Sequence, residues 1–231
     1  MSSRLIPYTG GVLSGTFVVV WEGLDAAGKT TLISETKKIL EARGLRILVY
    51  KTPSDTRTGE FAKTHGNDPE TDPLTRMLLF LANTSDDSKI IRREIEEKSP
   101  DLYFIDRYYL CSIAYGFAFS KLRGANVTER DFEELLKIVE KLGEGIFVKP
   151  DLYLIIDAPE EDRIRRLSEK ESQGGLEEVL EKSLEMQRNV REFYEAFRRM
   201  NRDKVVWVMN PQGRLRETAS RIVEELLSRM R

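Results

Sequence analysis

The fold class is decided by Gly23-Leu24-Asp25-Ala26-Ala27-Gly28-Lys29-Thr30. This stretch matches the phosphate-binding pattern G-x-x-x-x-G-K-[ST] at every fixed position. The glycines allow a tight loop with exposed backbone N–H groups, and the following helix directs its partial positive end to the same place. The lysine adds a mobile charge for the β- and γ-phosphates, and the threonine hydroxyl is placed to bind Mg²⁺. The stretch predicts a nucleoside-triphosphate site, with a structural glycine turn as the alternative.

The flanking sequence supplies the context that this motif requires. Residues 16–21 form an apolar, β-branched run that predicts a buried strand. Residues 31–43 carry apolar side chains near helical spacing, and Gly44 follows as a stop signal. We therefore expect the triphosphate to contact residues of the loop and of the first helical turn, namely Gly23, Asp25, Ala26, Ala27, Gly28, Lys29, Thr30 and Thr31.

Composition restricts the class of protein. A chain of 231 residues with 40% hydrophobic residues can form one domain with a substantial core, so we expect a single domain over residues 1–231. The net charge of −2 argues against a nucleic-acid polymer or an anionic membrane as partner. One cysteine, Cys111, excludes an internal disulfide and fits a reducing cytoplasm. No apolar run approaches the ~20 residues of a membrane span. The high share of charged residues, 33%, is typical of proteins from hot environments.

Strands and helices are predicted to alternate along the chain. The predicted strands are Phe17–Trp21, Leu45–Tyr50, Leu102–Ile105, Leu152–Ile156 and Val205–Met209. The predicted helical segments are 28–43, 72–97, 108–142, 160–200 and 214–230. This alternation indicates an α/β fold with a parallel sheet covered by helices on both faces. Such sheets bind ligands at the carboxyl ends of their strands.

The residues that follow the strands are suited to nucleotide chemistry. A polar segment with two cations, Lys51–Glu60, follows the second strand, and Asp106–Tyr108 follows the third. Asp157–Pro159 and Asn210–Gly213 follow the fourth and fifth strands. Together these segments offer carboxylates for a metal, cations for phosphates and a Pro/Gly turn beside a base.

Four motifs, in order, resemble those of the thymidylate kinase family, within the P-loop nucleoside-monophosphate kinases. The resemblance covers about residues 17–194. The motifs are the loop with its internal Asp25, the helical Leu78–Asn83, Asp106-Arg107-Tyr108 with Ser112 and Ala114-Tyr115, and Lys149–Leu152 leading to Asp157–Pro159. The resemblance implies five parallel strands in the order 2-3-1-4-5, phosphoryl transfer from Mg-ATP to deoxythymidine monophosphate (dTMP), and a homodimer.

Phosphoryl transfer requires placement and charge neutralisation more than covalent chemistry. The acceptor phosphate has a second pKa of ~6 and needs no strong base. Lys29 and the loop amides would serve the donor, and the resemblance assigns Arg107 to the acceptor phosphate, where a planar fork is well suited. Asp106 would join Thr30 on the metal side, and Arg166 matches the family's lid-helix arginine. A plain Asp106–Arg107 salt bridge is the alternative.

The acceptor nucleoside is predicted to lie against Asp25 and one helix face. Asp25 beside a triphosphate is electrostatically costly, so we expect it to accept a hydrogen bond from an acceptor sugar hydroxyl, the 3′-hydroxyl by resemblance. Spacing from Asp72 to Lys98 predicts a core stripe of Leu74, Met77, Leu78 and Leu81. Phe80, Asn83, Thr84 and Asp87 form an adjacent face that suits a base, although an aromatic at a core margin gives the same pattern. The predicted substrate-binding residues are Asp25, Lys51, Pro53, Phe80, Asn83, Thr84, Arg107, Ser112 and Tyr115.

The chain departs from the family pattern at several positions. Thr84 stands where the family usually has arginine, and Gly116 stands where many members have glutamine or another polar residue. Lys51 replaces the usual arginine after the second strand. The predicted lid, residues 163–176, has its arginines on the preceding helix and a possible hinge at Gly174-Gly175.

These departures leave other functions open. The alternatives are a kinase of another deoxynucleotide or deoxynucleoside and a non-catalytic nucleotide-binding protein. A GTPase switch would require an N-K-x-D tetrapeptide after a strand, and Asn201–Lys204 has the wrong order.

Overall fold

The structure is a computed structural model that describes residues 15–171 and 184–230, with side chains described except for residues 168–171. Its five strands form one sheet in the order β2-β3-β1-β4-β5, and every neighbouring pair is parallel. The strands are β1 (Phe17–Gly23), β2 (Ile47–Lys51), β3 (Leu102–Asp106), β4 (Leu152–Asp157) and β5 (Val205–Met209). The predicted α/β class and strand order are confirmed.

Helices cover both faces of this sheet. They are α1 (Lys29–Glu41), α2 (Arg57–Gly66), α3 (Pro73–Lys98), α4 (Tyr109–Leu122), α5 (Glu129–Leu142), α6 (Glu160–Glu171), α7 (Leu184–Met200) and α8 (Leu215–Arg229). Helices α1 and α8 pack on each other, whereas α2, α3, α4, α5 and α7 form the other layer. None of the helices in the described ranges combines the length and apolar character needed to cross a membrane.

The three central strands carry the core and bring the site together. Strands β3 and β4 are buried at every position, and β1 is buried from its second residue onward. Their near-continuous apolar sequence is expected for parallel strands that are covered on both faces. Because β1 lies between β3 and β4, the phosphate loop after Gly23 lies beside the residues that end those strands.

Two helical segments differ from the prediction. The predicted segment 108–142 is two helices, because Gly124 adopts a left-handed φ of 84° and Thr128 forms a capping box with Asp131 that starts α5. The polar segment after β2, predicted as a turn, ends in the first turn of helix α2. Thr56 caps this turn by accepting a hydrogen bond from the Gly59 amide. Residues 172–183, within the predicted segment 160–200, lie outside the described residues.

The predicted core stripe of α3 is wrong at two positions. Leu74 and Leu78 are 58% and 54% exposed, whereas the polar Asn83, Thr84 and Asp87 are at most 2% exposed. The rest of the helix sets this rotation, since Ile91 and Ile95 enter the main core and continue the face of Thr84 and Asp87. The polar face therefore points into the protein.

Candidate active site

The phosphate loop joins β1 to α1 in a strained, tightly packed turn. A Cβ at Gly23 would lie 2.1 Å from the Ile156 carbonyl oxygen, so only glycine allows β1 and β4 to approach here. Ala26 and Gly28 have left-handed φ angles of 59° and 84°. Helix α1 begins directly after Gly28, so its N-terminal amides and dipole favour an anion at the loop.

A buried ion pair joins the loop to the end of β3. The Lys29 ammonium donates to Asp106 Oδ1, and the two residues are 8% and 3% exposed. Burial, together with the nearby Arg107 charge, lowers the pKa of Lys29 despite the opposing effect of Asp106. A phosphate bound at the loop would give this lysine a second negative partner beside Asp106, and this partner would favour the charged ammonium.

Arg107 is held in an unusual backbone conformation directly after β3. Its φ is 69°, its amide donates to the Trp21 carbonyl at 2.9 Å, and its carbonyl accepts from Thr52 Oγ1 at 2.9 Å. The guanidinium donates to Asp25 Oδ1 at 2.5 Å and to Cys111 Sγ at 3.0 Å. This turn aims the arginine toward the loop.

Asp25 faces the same space from the other side. Burial opposes its ionisation, but the Arg107 charge and the hydrogen bonds from Arg107 and Gln187 outweigh burial and lower the pKa of Asp25. Gln187, on α7, donates to Asp25 Oδ2 at 3.0 Å and accepts from the Asp25 amide at 2.9 Å. The carboxylate is ionised and fixed in orientation.

Glu22 supports the turn from below and is fully buried. Its Oε1 accepts from the amides of Tyr108 and Cys111 at 3.0 and 3.2 Å, and its Oε2 accepts from the Tyr194 hydroxyl at 3.0 Å. Helix α4 has no cap from its own N-terminal side chain, so a residue of β1 satisfies these amides. Glu22 thus connects β1, α4 and α7.

A cavity of about 200 Å³ opens beside Arg107. Its lining includes eight of the nine predicted substrate-binding residues, namely Asp25, Pro53, Phe80, Asn83, Thr84, Arg107, Ser112 and Tyr115. Lys51 does not line it but is exposed at a neighbouring depression with Tyr50 and Lys63. We name the space beside Arg107 the acceptor cavity.

Two polar groups on α3 differ in what they offer to this cavity. The Thr84 hydroxyl donates to the Phe80 carbonyl at 2.9 Å, so its proton is used within the helix. Asn83 is fully buried, and its Oδ1 accepts no hydrogen bond from the described part of the chain.

Gly116, on α4, leaves room for Met77 of α3, because a Cβ at position 116 would lie 2.8 Å from the Met77 side chain.

Two arginines of α6 hold the phosphate loop. Arg166 donates to the carbonyls of Ala26 and Asn210, each at 3.1 Å. Arg163, only 1% exposed, donates through Nε to the Asp25 carbonyl at 3.1 Å. Gly174-Gly175, the predicted hinge of the lid, lies outside the described residues.

The donor set for a metal is small but suited to Mg²⁺. Within residues 15–171 and 184–230 there is no group of three or more His, Cys, Asp or Glu side chains placed to hold a metal. Thr30 is exposed at the start of α1, and Asp106 ends the neighbouring β3. Because Mg²⁺ keeps several waters and takes one or two protein oxygens plus substrate phosphates, this pair fits that ion.

Comparison with known proteins identifies the family of this chain. A thymidylate kinase family model matches residues 21–220. The chain belongs to the thymidylate kinase family. It is 31% identical to a probable thymidylate kinase of Pyrobaculum calidifontis, over 93% of this chain and 99% of that protein. It is 28% identical to a probable thymidylate kinase of Thermococcus gammatolerans, over 93% of this chain and 99% of that protein.

A solved thymidylate kinase structure from Candida albicans has the same fold. Its TM-score is 0.66 at 21% sequence identity, and the match covers 94% of each chain. The family resemblance predicted from the four motifs is confirmed.

Sequence reasoning missed three residues at this candidate site, namely Glu22, Arg76 and Gln187. Glu22 could have been noticed in the sequence, since it is the one charged residue in the otherwise apolar strand β1. Arg76, which also lines the acceptor cavity, lies four residues before Phe80 and so shares its helix face. Gln187 gave no signal, because its sequence position lies far from every motif.

Proposed function

We propose that this enzyme is an ATP-dependent thymidylate kinase, which transfers the γ-phosphoryl group of Mg-ATP to dTMP and gives dTDP and ADP. The observation that carries the proposal is the position of Arg107. Its guanidinium pairs with Asp25 of the phosphate loop, and it also lines the acceptor cavity. Arg107 therefore lies where the two sites meet. A cation at this junction offsets the repulsion between two anionic substrates as they meet.

The donor nucleotide binds at the loop. The loop amides and the N-terminus of α1 contact its phosphates, and Lys29 moves from Asp106 to the β- and γ-phosphates. Mg²⁺, held by Thr30 and Asp106, would neutralise charge on the phosphates. Arg163 and Arg166 keep the loop carbonyls turned away from the phosphates, because each arginine binds one of those carbonyls.

The acceptor nucleotide binds in the acceptor cavity. Arg107 binds its phosphate, and Asp25 accepts a hydrogen bond from the 3′-hydroxyl of the sugar. Phe80 supplies an aromatic surface for the base, with Asn83 beside it. Lys51 lies close enough in sequence to Pro53 to assist as a point charge, but it does not line the cavity.

Turnover with a panel of nucleotides tests this function. Purified protein with Mg-ATP and each of dTMP, dUMP, dCMP, dAMP and dGMP is analysed by chromatography for diphosphate products. We expect dTDP to form fastest, and Arg107→Gln to reduce kcat/KM for dTMP by more than 100-fold, in the range of a buried charge-assisted contact. Arg130→Gln, on the exposed surface of α5, is the matched control. Rapid conversion of another nucleotide without dTMP turnover contradicts the thymidylate assignment.

A kinase of another deoxynucleotide is the second candidate. Thr84 and Gly116 favour it, since neither supplies the polar side chain that the family usually presents to thymine. The same panel of nucleotides separates the two candidates.

We also propose that residues 1–231 form one nucleotide-kinase domain, that residues 163–176 act as its lid, and that the enzyme is a cytoplasmic homodimer. The free Cys111 thiol fits a reducing compartment.

The proposed dimer rests on an exposed apolar surface. Leu74 and Leu78 are exposed one turn apart on α3, and Phe61 is 54% exposed on the adjacent α2. Such an apolar surface suits burial against a second copy. Light scattering on Leu78→Glu and wild type checks this, since a dimer of this kind should dissociate.

A further inference from the structure

Arg76 is a charged residue of the acceptor cavity for which the proposed function gives no role. It lies on α3 four residues before Phe80 and eight before Thr84, so the three share a helix face. It lines the same cavity as Asp25 and Arg107. The cavity therefore holds two arginines, and the phosphate requires only one of them.

The guanidinium of Arg76 lies over two aromatic rings. Its central carbon lies 4.5 Å from the centroid of the Phe119 ring and 5.5 Å from that of Phe80. It donates to the Gly66 carbonyl and, at 3.0 Å, to Asn67 Oδ1. The contacts with two rings and the hydrogen bonds to the end of α2 hold the guanidinium in place.

The charge of Arg76 faces the cavity. Burial lowers its pKa to about 10, and the groups that oppose this effect are Cys111, Tyr115 and Asp25, all of which line the cavity. Asn67 also lines the cavity and is exposed. The Arg76–Asn67 hydrogen bond is exposed to water, so a ligand oxygen can take the place of Asn67 Oδ1 as its acceptor.

We propose that Arg76 is a specificity-determining residue, which binds the base edge in place of the arginine missing at Thr84 and selects a pyrimidine with an oxygen at C4. The proposal rests on the proposed function. A guanidinium only donates hydrogen bonds. It therefore pairs with the O4 acceptor of thymine or uracil, and it cannot pair with the 4-amino donor of cytosine.

Asn83 adds the complementary group. Its Nδ2 donates to Thr56 Oγ1 at 3.3 Å, which leaves the buried Oδ1 as an acceptor at the cavity. Thymine and uracil present an N3–H donor, whereas cytosine presents an acceptor at N3. A donor from Arg76 and an acceptor from Asn83 therefore match both O4 and N3–H of thymine or uracil. They match neither the 4-amino group nor N3 of cytosine.

Steady-state kinetics of Arg76→Met with dTMP, dUMP and dCMP test this role. Methionine keeps an unbranched stem on the rings and removes the donors. Since a hydrogen bond to a charged group contributes 1.5–3 kcal/mol, we expect the KM for dTMP to rise roughly 10- to 100-fold. The preference for dTMP over dCMP should fall by a similar factor. The ratio of dTMP to dUMP and the KM for ATP should change less than about twofold.

Further variants separate this role from a structural one. Arg76→Lys keeps the charge without the fork and should lose part of the preference over dCMP. Adding Thr84→Arg to Arg76→Met should restore it. Arg123→Met is the matched control, because it removes an exposed arginine that donates to the Pro69 carbonyl. It should leave the KM for dTMP and the KM for ATP unchanged.

Unchanged dTMP KM and dCMP preference in Arg76→Met and Arg76→Lys would overturn the inference. If Arg76→Met does not fold, Arg76→Lys and Arg76→Gln decide by the same criteria. If wild type phosphorylates no nucleotide, the proposed function fails, and calorimetric binding of dTMP and dCMP to wild type and Arg76→Met still decides the role of Arg76.

Discussion

Replacing Glu22 by glutamine removes a buried titrating carboxyl and keeps its shape. Burial raises the pKa of Glu22 from 4.5 to about 7, although the Arg107 and Lys29 charges and the hydrogen bonds from Tyr194 and Tyr108 oppose this rise. A carboxyl with a raised pKa stays protonated in the folded protein while its unfolded counterpart ionises.

The sign and size of the effect on stability follow from this pKa. Below about pH 4.5 the group is protonated in both states, so it has no pH-dependent effect there. Between pH 4.5 and about 7 only the unfolded state ionises, and the free energy of unfolding falls as pH rises. Each unit of pKa difference between the two states corresponds to about 1.4 kcal/mol. The rise from 4.5 to about 7 therefore lowers the free energy of unfolding by about 3 kcal/mol, and this loss is complete above about pH 7. Glu22→Gln does not titrate and should avoid this loss.

Urea unfolding of wild type and Glu22→Gln from pH 4 to pH 8 measures the difference. We expect the stability of the variant relative to wild type to increase by about 3 kcal/mol across this range. Glu97→Gln, an exposed residue paired with Arg93, is the matched control and should show no such trend. A difference that stays constant from pH 4 to pH 8 would refute the reasoning, because it would mean that Glu22 ionises alike in both states.

Three further changes test the site. Lys29→Met should reduce kcat for dTMP phosphorylation by at least about 100-fold in the same chromatographic assay, since it removes a charge from the developing transition state. Asp25→Asn should raise the KM for dTMP by about tenfold with little effect on the KM for ATP, because the loop remains held through its backbone by Gln187 and Arg163. Gly66→Ala would place a Cβ 2.9 Å from the Phe80 ring, so we expect calorimetry to show a loss of about 1–3 kcal/mol in stability and kinetics to show a raised KM for dTMP.

The sheet could be predicted because its strands are short apolar runs separated by long amphipathic segments. All five predicted strands exist, and their boundaries differ from the predicted ones by at most two residues. Helix α2 was not predicted, because its sequence, RTGEFAKTHG, has few apolar residues and two glycines. The rotation of α3 was wrong since Leu74 and Leu78 form a regular stripe in sequence, whereas packing of Ile91 and Ile95 determines which face is buried.

The site was predictable where parallel strands end. Lys29, Asp106 and Arg107 meet because β1 and β3 are neighbours. Lys29 lies in the loop and helix start after β1, Asp106 ends β3, and Arg107 follows β3 directly. Gln187 and Arg76 reach the site from helices, and their contribution depends on helix rotation and tilt. A short motif carries no information on these quantities, so neither residue was found.

The attachment of α6 to the phosphate loop has an evolutionary consequence. Arg163 and Arg166 bind the carbonyl oxygens of Asp25 and Ala26, and a carbonyl is present whatever side chain a residue carries. The side chain at position 26 can therefore change over generations without loosening the loop, as long as it tolerates the left-handed φ there. The arginines have no such freedom, because a shorter or uncharged side chain cannot reach or satisfy those oxygens. Divergence within the family should thus fall more easily on this loop position than on the helix that holds it.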